Sequence, residues 1–150
     1  MLWKQAVNLD HINTLSERTL ANTLGIKYTE IGEDYIIASM PVNETTVQPF
    51  RILHGGASVA LAESLGSVAS MLCIEDLTKQ LPVGVEINAN HLKSVSEGKT
   101  VFGKVTAIRI GKTMHVWNIE IKNEKNELIC ISRLTVAVID NKQQVIGDRE

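Results

Sequence analysis

The sequence is poor in the features that mark several common classes of protein. Its 150 residues include only two each of Trp, Tyr and Phe, which disfavours a base-stacking surface for nucleic acids. Its 15 basic and 17 acidic side chains leave a net charge of −2, so non-specific phosphate-backbone binding is also disfavoured. No apolar run approaches the ~20 residues that cross a bilayer. We therefore expect a globular protein with neither nucleic-acid nor membrane partners.

Cysteine and histidine are equally sparse. Cys73 and Cys130 are the only two cysteines, and both lie among apolar residues. We expect buried free thiols, as in a reducing cytoplasm, although one disulfide is the alternative. Residues 1–5 lack the basic start and apolar core of a signal peptide, which also favours a cytoplasmic location. The four histidines are scattered without metal-ligand spacing, so we expect no metal site.

Length and an apolar fraction of 44% predict a single domain over residues 1–150, with a polar tail at 140–150. The spacing of apolar residues predicts a short helix over 8–24 and a long helix over about 56–75. Content of Val, Ile and Thr predicts strands at 26–31, 35–41, 83–95, 99–110, 113–122 and 128–139. Short turns between the last four favour consecutive hairpins. The pattern indicates an α+β fold, a long helix beside a curved antiparallel sheet of five to six strands, whose open edges favour oligomers.

The predicted long helix carries the first candidate site residue. Its apolar stripe is formed by Leu61, Leu65, Val68 and Leu72. The opposite face is small and polar and consists of Val59, Glu63, Gly66, Ser67 and Ser70. Small residues indicate close packing, which would leave the Glu63 carboxylate poorly hydrated and usable as a base or nucleophile. A solvent-exposed Glu63 is the alternative.

The segment before this helix supplies further candidates. Gly55 and Gly56 leave room for a substrate carbonyl at the helix N-terminus, where unpaired N–H groups and the helix dipole stabilise an oxyanion. The alternative is a flexible start of the helix, with His54 as a cap. In the preceding loop, the neutral amide of Gln48 is able to donate a hydrogen bond to a carbonyl, unless it is an ordinary surface residue.

The second half of the chain is locally basic. Between positions 85 and 115, five basic side chains accompany two acidic ones, whereas residues 1–50 hold six acids and three bases. The basic residues are Lys93, Lys99, Lys104, Arg109 and Lys112. This excess indicates phosphate binding, against the alternative of an ordinary solvated sheet face. Alternation places Asn88 and Asn90 on one face of their strand and His91 on the other, where they either satisfy backbone groups or contact a ligand.

Several strings of this sequence together resemble one known family. They cover 48–57 with Glu63 and Ser64 following, 84–91, 116–121 and 130–135. The strings are similar to those of hotdog-fold acyl-CoA thioesterases of the phenylacetate-pathway type. Within that family they look most like hydrolases of 1,4-dihydroxy-2-naphthoyl-CoA and the proofreading thioesterase of enterobactin synthesis. The resemblance covers about residues 1–139.

The resemblance implies a hotdog fold, homodimers whose sites use residues of both chains, and pairing of dimers into homotetramers. It implies hydrolysis of an acyl-CoA, with aromatic acyl groups expected and menaquinone biosynthesis as one context. Coenzyme A is then part of the substrate, and no cofactor is expected. Glu63 matches the catalytic carboxylate, acting as nucleophile or general base, while Gln48, His54 and Gly55 match groups that position or polarise the carbonyl.

The remaining matches concern the two ends of the substrate. Ser64 and Ser67 match residues near the acyl group or the reacting water. Coenzyme A would contact the residues Gly84, His91, Leu92, Lys93, Ser94, Ile108, Arg109, Ile110, Gly111, Lys112 and Thr113. That match gives the basic stretch a reason, because coenzyme A carries three phosphate groups.

Two departures and two alternatives accompany this resemblance. The position of Arg51 is commonly Gly in the family, so we expect this cation to line the acyl pocket or its mouth. Residues 80–82 are expected to lengthen the loop before the third strand. A hotdog dehydratase or hydratase is one alternative function, although its His and acidic residue are usually paired differently. A non-catalytic acyl-CoA-binding protein is the other, although it would have little use for a desolvated Glu63.

Overall fold

The structure of the protein is a computed structural model that describes residues 1–142. The helices are α1 (Leu9–Leu15), α2 (Leu20–Thr23) and α3 (Gly55–Leu72). The strands are β1 (Lys27–Ile31), β2 (Tyr35–Pro41), β3 (Gln80–His91), β4 (Thr100–Ile110), β5 (Met114–Lys122) and β6 (Leu128–Asp140). The predicted tail at 140–150 falls mostly outside the described residues.

The six strands form one antiparallel sheet in the order β1-β2-β4-β5-β6-β3. Helix α3 contacts each strand from β2 to β6, so the sheet curves around the helix. This confirms the predicted α+β arrangement of a long helix and an antiparallel sheet of five to six strands. The two sheet edges are β1 and the much longer β3, which leaves one side of twelve backbone residues without a strand partner in the described chain.

Strand β3 differs from the sequence-based expectation in two respects. It pairs with β6 rather than with β4, so the prediction of consecutive hairpins holds for β4, β5 and β6 but is wrong for β3. Residues 80–82 belong to the strand, opposite 138–140, and do not lengthen the preceding loop. Pro82 is tolerated because an edge strand has a side on which no N–H donor is needed.

The predicted single helix at 8–24 is wrong, because the chain forms two short helices there. Asn8 caps α1 by accepting a hydrogen bond from the His11 N–H at 3.1 Å. Arg18 then adopts a positive φ of 61°, which no α-helix accommodates, and α2 starts after Thr19. Only Ile12 of this segment is fully buried, so little packing holds a longer helix together.

The core lies between α3 and the concave face of the sheet, and glycines set the distance between them. A Cβ atom built on Gly103 of β4 would lie 2.6 Å from Leu65 Cδ1, and one on Gly66 of α3 would lie 2.5 Å from Leu134 Cδ2. The face of α3 opposite the apolar stripe is therefore not a solvent face: Gly66 and Ser70 are fully buried. The expectation that something packs closely against these small residues is confirmed.

Both cysteines are free thiols, as expected, but only Cys130 is buried, whereas Cys73 is half-buried. Burial raises the pKa of the Cys73 thiol to about 11 and also raises that of Cys130, so both stay protonated and unreactive at neutral pH. Among residues 1–142, no helix is both long and apolar enough to span a membrane.

Candidate active site

The start of α3 presents an unsatisfied backbone donor. His54 caps the helix, since its Nδ1 accepts a hydrogen bond from the Gly56 N–H at 2.8 Å. The Gly55 N–H has no acceptor among the described residues. With Nδ1 serving as the acceptor, a neutral His54 carries its proton on Nε2, which is left to donate to a ligand. Two donors beside the positive end of an 18-residue helix are suited to a developing oxyanion.

His91, at the end of β3, lies directly against this helix start. A Cβ atom on Gly55 would lie 2.9 Å from His91 Nε2, so any side chain at this position would displace the imidazole. Together they border an open pocket of about 380 Å³, which is also lined by Gln48, Ser58 and residues 92–94. Of the four predicted carbonyl-binding and catalytic residues, Gln48 and Gly55 thus line one pocket with a predicted coenzyme A segment. His54 lies beside this pocket at the helix start, and Glu63 does not line it.

Gln48 is held by a tight turn of its own loop. Its main-chain N–H donates to the Ile52 carbonyl and its carbonyl accepts from the Arg51 N–H, both at 2.9 Å. Its side-chain Oε1 accepts a hydrogen bond from the Phe50 N–H. Because the amide oxygen is already bonded within the loop, the NH₂ group is the part of Gln48 that remains for a substrate carbonyl.

Arg51 is placed by the same turn, with a positive φ of 61°. Glycine adopts this backbone conformation without strain, whereas a residue with a side chain does not. The guanidinium pairs with Glu97, with Nε 2.9 Å from Oε2, and this contact lowers the pKa of the Glu97 carboxyl. Arg51 is not among the residues that line the pocket at Gly55, and its place at the mouth of an acyl pocket stays a prediction.

Glu63 lies two helical turns further along α3 and does not line that pocket. Its carboxylate packs against β3, where a Cβ atom on Gly84 would lie 2.7 Å from Oε1. The eight residues between Gly55 and Glu63 correspond to a separation of ~12 Å along the helix axis. Within one chain, the structure therefore does not bring Glu63 to the donors at the helix start.

The two serines beside Glu63 are less available than the sequence suggested. The Ser64 hydroxyl donates to the Ala60 carbonyl at 2.7 Å, and the Ser64 carbonyl accepts from the Tyr28 hydroxyl at 3.1 Å. Ser67 is half-buried one turn further on. Ser58, by contrast, was missed from the sequence, although it follows Gly55 by three residues and therefore shares its helix face.

The two predicted coenzyme A segments lie at opposite ends of the sheet. His91 pairs with Cys130 near the start of β6, whereas the β4–β5 turn, residues 111–113, contacts the end of β6 through the Val138 N–H and the Thr113 carbonyl at 2.9 Å. Residues 130 and 138 of a strand are separated by roughly 27 Å. Gly84 lies on the inner face of β3, where its neighbour is Glu63. One chain therefore does not join these segments into one compact site.

The architecture, one antiparallel sheet curved around a long helix, is that of a hotdog fold, and the Glu63 carboxylate lies between this helix and β3. The model of the thioesterase superfamily matches residues 50–130. The chain is 48% identical over 139 residues to 1,4-dihydroxy-2-naphthoyl-CoA hydrolase of Escherichia coli, covering 93% of this chain and 100% of that protein. It is 45% identical to the proofreading thioesterase EntH of Cronobacter turicensis, with 93% and 99% covered.

A solved structure agrees with this relationship. The crystal structure of a thioesterase from Haemophilus influenzae matches with a TM-score of 0.89 and 47% identity, covering 93% of this chain and 96% of that one. The chain therefore belongs to the thioesterase superfamily. It has the hotdog fold and is a thioester hydrolase, which confirms the resemblance found in its sequence.

Proposed function

We propose that the protein hydrolyses acyl-CoA thioesters, with aromatic acyl groups preferred, at sites that two copies of the chain share. The observation that carries this proposal is the unsatisfied Gly55 N–H at the start of α3, which opens into a pocket with a predicted coenzyme A segment on its wall. The aromatic preference is supported by the name of the E. coli relative, a hydrolase of a naphthoyl-CoA. Cytoplasmic location stays a prediction.

Pairing of the β3 edges of two copies would shorten two distances that are long within one chain. These are the distance from Glu63 to Gly55 and the distance between the two predicted coenzyme A segments. Glu63 packs beside Gly84 and Gly55 packs beside His91, and both of these neighbours belong to β3. Because the register shift between Gly84 and Glu86 adds one residue to β3, an antiparallel pairing centred on Asn88 brings Gly84 of one copy opposite His91 of the other. The carboxylate of one chain then approaches the oxyanion donors of its partner, and the partner's β4–β5 turn approaches residues 91–94.

The surface of β3 fits such a pairing. The strand offers its free backbone groups, and Val83 and Val85 are exposed by 39% and 59% although both are large and apolar. An edge strand of this length without covering is a ready template for another strand. A two-fold axis makes the contact self-complementary, which suits a homodimer. Pairing of these dimers into tetramers stays a prediction from the resemblance.

The reaction follows from this arrangement. The thioester carbonyl accepts hydrogen bonds from the Gly55 N–H, and from Gln48 Nε2 or His54 Nε2, which polarise it and stabilise the oxyanion. Glu63 of the other chain then attacks the carbonyl carbon, releasing the coenzyme A thiolate and forming an anhydride that water cleaves. Alternatively, Glu63 takes a proton from a water that attacks the same carbon, and the proton passes to the leaving thiolate.

A thiol-release assay with a panel of acyl-CoA substrates tests the activity. We expect the highest kcat/KM with benzoyl and naphthoyl groups, lower values with short and medium aliphatic chains, and weaker activity with carrier-protein thioesters. Coenzyme A binding without thiol release from any substrate would instead support a non-catalytic binding protein. Addition of water to enoyl-CoA without thiol release would support a hydratase.

Mixing two inactive variants tests the shared site. Glu63→Gln and Gly55→Ala each remove one half of the machinery, so each variant alone should lose most of its turnover. When the two are co-expressed, half of the sites in each mixed dimer carry neither change, and about a quarter of all sites should regain activity. Mixtures as inactive as the separate variants, despite confirmed mixed dimers, would place both groups in one chain's own site.

A further inference from the structure

A buried polar cluster that the proposed reaction does not use lies near the other end of α3. It consists of Ser70, His115 and Trp117, which are exposed by 0%, 3% and 0% respectively. Trp117 Nε1 donates to Ser70 Oγ at 2.7 Å, and His115 Nδ1 lies 3.0 Å from the same oxygen. The cluster joins the helix to β5, two residues beyond the β4–β5 turn.

His115 also lies beside the turn itself. It pairs with Ile110, the residue directly before the turn, and the main-chain carbonyl of Gly111 acts to raise the pKa of the ring against the larger lowering by burial. Ser70 Oγ accepts from Trp117 Nε1, so its own proton is free to be donated to His115 Nδ1. The hydrogen bonds then run from Trp117 through Ser70 to His115 and join α3 to the strand residue beside the turn.

This arrangement braces a turn that is otherwise held by main-chain bonds. The Gly111 N–H donates to the Met114 carbonyl at 2.8 Å, and Thr113 bonds to the end of β6. The exposed side chains of Arg109 and Lys112 flank the turn, so its orientation decides where two cations point. Because His115 pairs with Ile110 next to the turn and is hydrogen-bonded to Ser70 of α3, loss of the imidazole should free the turn to shift.

We propose that His115, held by Ser70, is a positioning residue that fixes the β4–β5 turn in the orientation that binds the phosphate groups of coenzyme A. The proposal rests on the proposed function, since it takes coenzyme A as the ligand. It assigns His115 no contact with the substrate and no part in proton transfer. Its role is to set the affinity for the nucleotide end of the substrate, separately from the chemistry at the thioester.

The test compares His115→Asn and Ser70→Ala with wild type in two measurements. Titration calorimetry with coenzyme A alone should show binding weakened about tenfold, the factor that corresponds to ~1.4 kcal/mol. Hydrolysis of an acyl-CoA should show a matching rise in KM with kcat nearly unchanged. Hydrolysis of the same acyl group on pantetheine, which lacks the nucleotide, should show the same KM in variant and wild type.

Tyr28→Phe is the matched control, because it also removes a buried hydroxyl that bonds to α3, here at the Ser64 carbonyl and away from the turn. It should lower stability like Ser70→Ala while coenzyme A affinity stays at the wild-type value. Unchanged coenzyme A affinity in both cluster variants, or equal losses with the pantetheine substrate and with Tyr28→Phe, would overturn the proposal. If the wild-type protein binds coenzyme A but hydrolyses no acyl-CoA, the proposed function is wrong, whereas the proposed role of His115 in coenzyme A binding still holds.

Discussion

The two ends of α3 treat their polar groups in opposite ways. Toward the C-terminal end, Ser70 is fully buried and bonded to both His115 and Trp117. At the N-terminal end, the Gly55 N–H has no acceptor in the described chain and the neighbouring His91 is exposed. A closed network stabilises the fold, whereas open donors are available to a ligand. Closed hydrogen bonds and open donors are thus separated along one helix, with Glu63 between them.

The largest effect on activity is expected from removing the charge of Glu63. Glu63→Gln keeps the shape of the side chain but has neither the nucleophilic oxygen nor the base, so kcat should fall by ~10³ or more. The side chain is half-buried and has no ion pair among the described residues, so the free energy of unfolding should change by less than ~0.5 kcal/mol. Thiol release and urea unfolding measure the two effects. Near-wild-type turnover would show that Glu63 is not the catalytic group.

Two glycines that face α3 sharpen the comparison. A methyl group at Gly84 would lie 2.7 Å from Glu63 Oε1, the mobile end of a half-buried chain, whereas one at Gly103 would lie 2.6 Å from Leu65 Cδ1 inside the packed core. Gly84→Ala should therefore displace the carboxylate and lower kcat by ~10–100-fold with little loss of stability. Gly103→Ala should cost ~1–3 kcal/mol of stability and leave the kcat of the folded enzyme almost unchanged. The reverse pattern would contradict the separation of the two roles.

The sequence predicts the strands and the long helix well because their signals are local. Alternation of apolar residues places Asn88 and Asn90 on the outer face of β3 and His91 on the inner one, and the pairing with Arg133, Ile131 and Cys130 agrees with this. The sequence does not predict which strand pairs with β3, because the alternation of its residues is compatible with pairing to either β4 or β6. The break at Arg18 also has no Gly or Pro to signal it.

The candidate site shows the same limit. His54 and Gly55 were found because helix starts have local signatures, and the structure confirms the helix start and the cap at these residues. Close packing at Ser70 was expected from its small side chain, but its hydrogen bonds to His115 and Trp117 were missed, because helical spacing does not show which strand residues face the helix. The separation of Glu63 from Gly55 follows only from the arrangement of whole elements, which is why the roles of both residues stay predictions.

The stability of the protein should fall in acidic solution, because the closed network contains the buried imidazole of His115. Burial lowers the pKa of His115 below its ordinary value near 6.5, so the folded protein resists protonation at this ring. Below about pH 6.5 the unfolded chain takes up a proton that the folded chain excludes, and stability falls as the pH drops toward the folded-state pKa. Urea unfolding of wild type should show this decline between pH 7 and 5, and His115→Asn should show a flatter profile. Asp76, Glu97 and Glu127 have lowered pKa values and contribute only in more acidic solution. Equal slopes in both proteins would mean that His115 titrates alike in the folded and unfolded states.

The smallest effect on stability is expected at Arg51, which precedes the N-terminal end of α3 and forms an ion pair with Glu97. Arg51→Gly relieves a positive φ of 61° but loses the exposed ion pair with Glu97, two changes of opposite sign. We therefore expect a melting temperature close to that of wild type. Glu97→Gln serves as the control, because it breaks the pair and leaves the backbone strain in place, so its melting temperature should not exceed that of wild type. If Arg51 also lines the mouth of the acyl pocket, Arg51→Gly should change the ratio of kcat/KM between naphthoyl and aliphatic substrates, whereas Glu97→Gln should change it less. An unchanged ratio in both variants would assign Arg51 to the turn alone, since the ion pair and the positive φ would then account for all that it does.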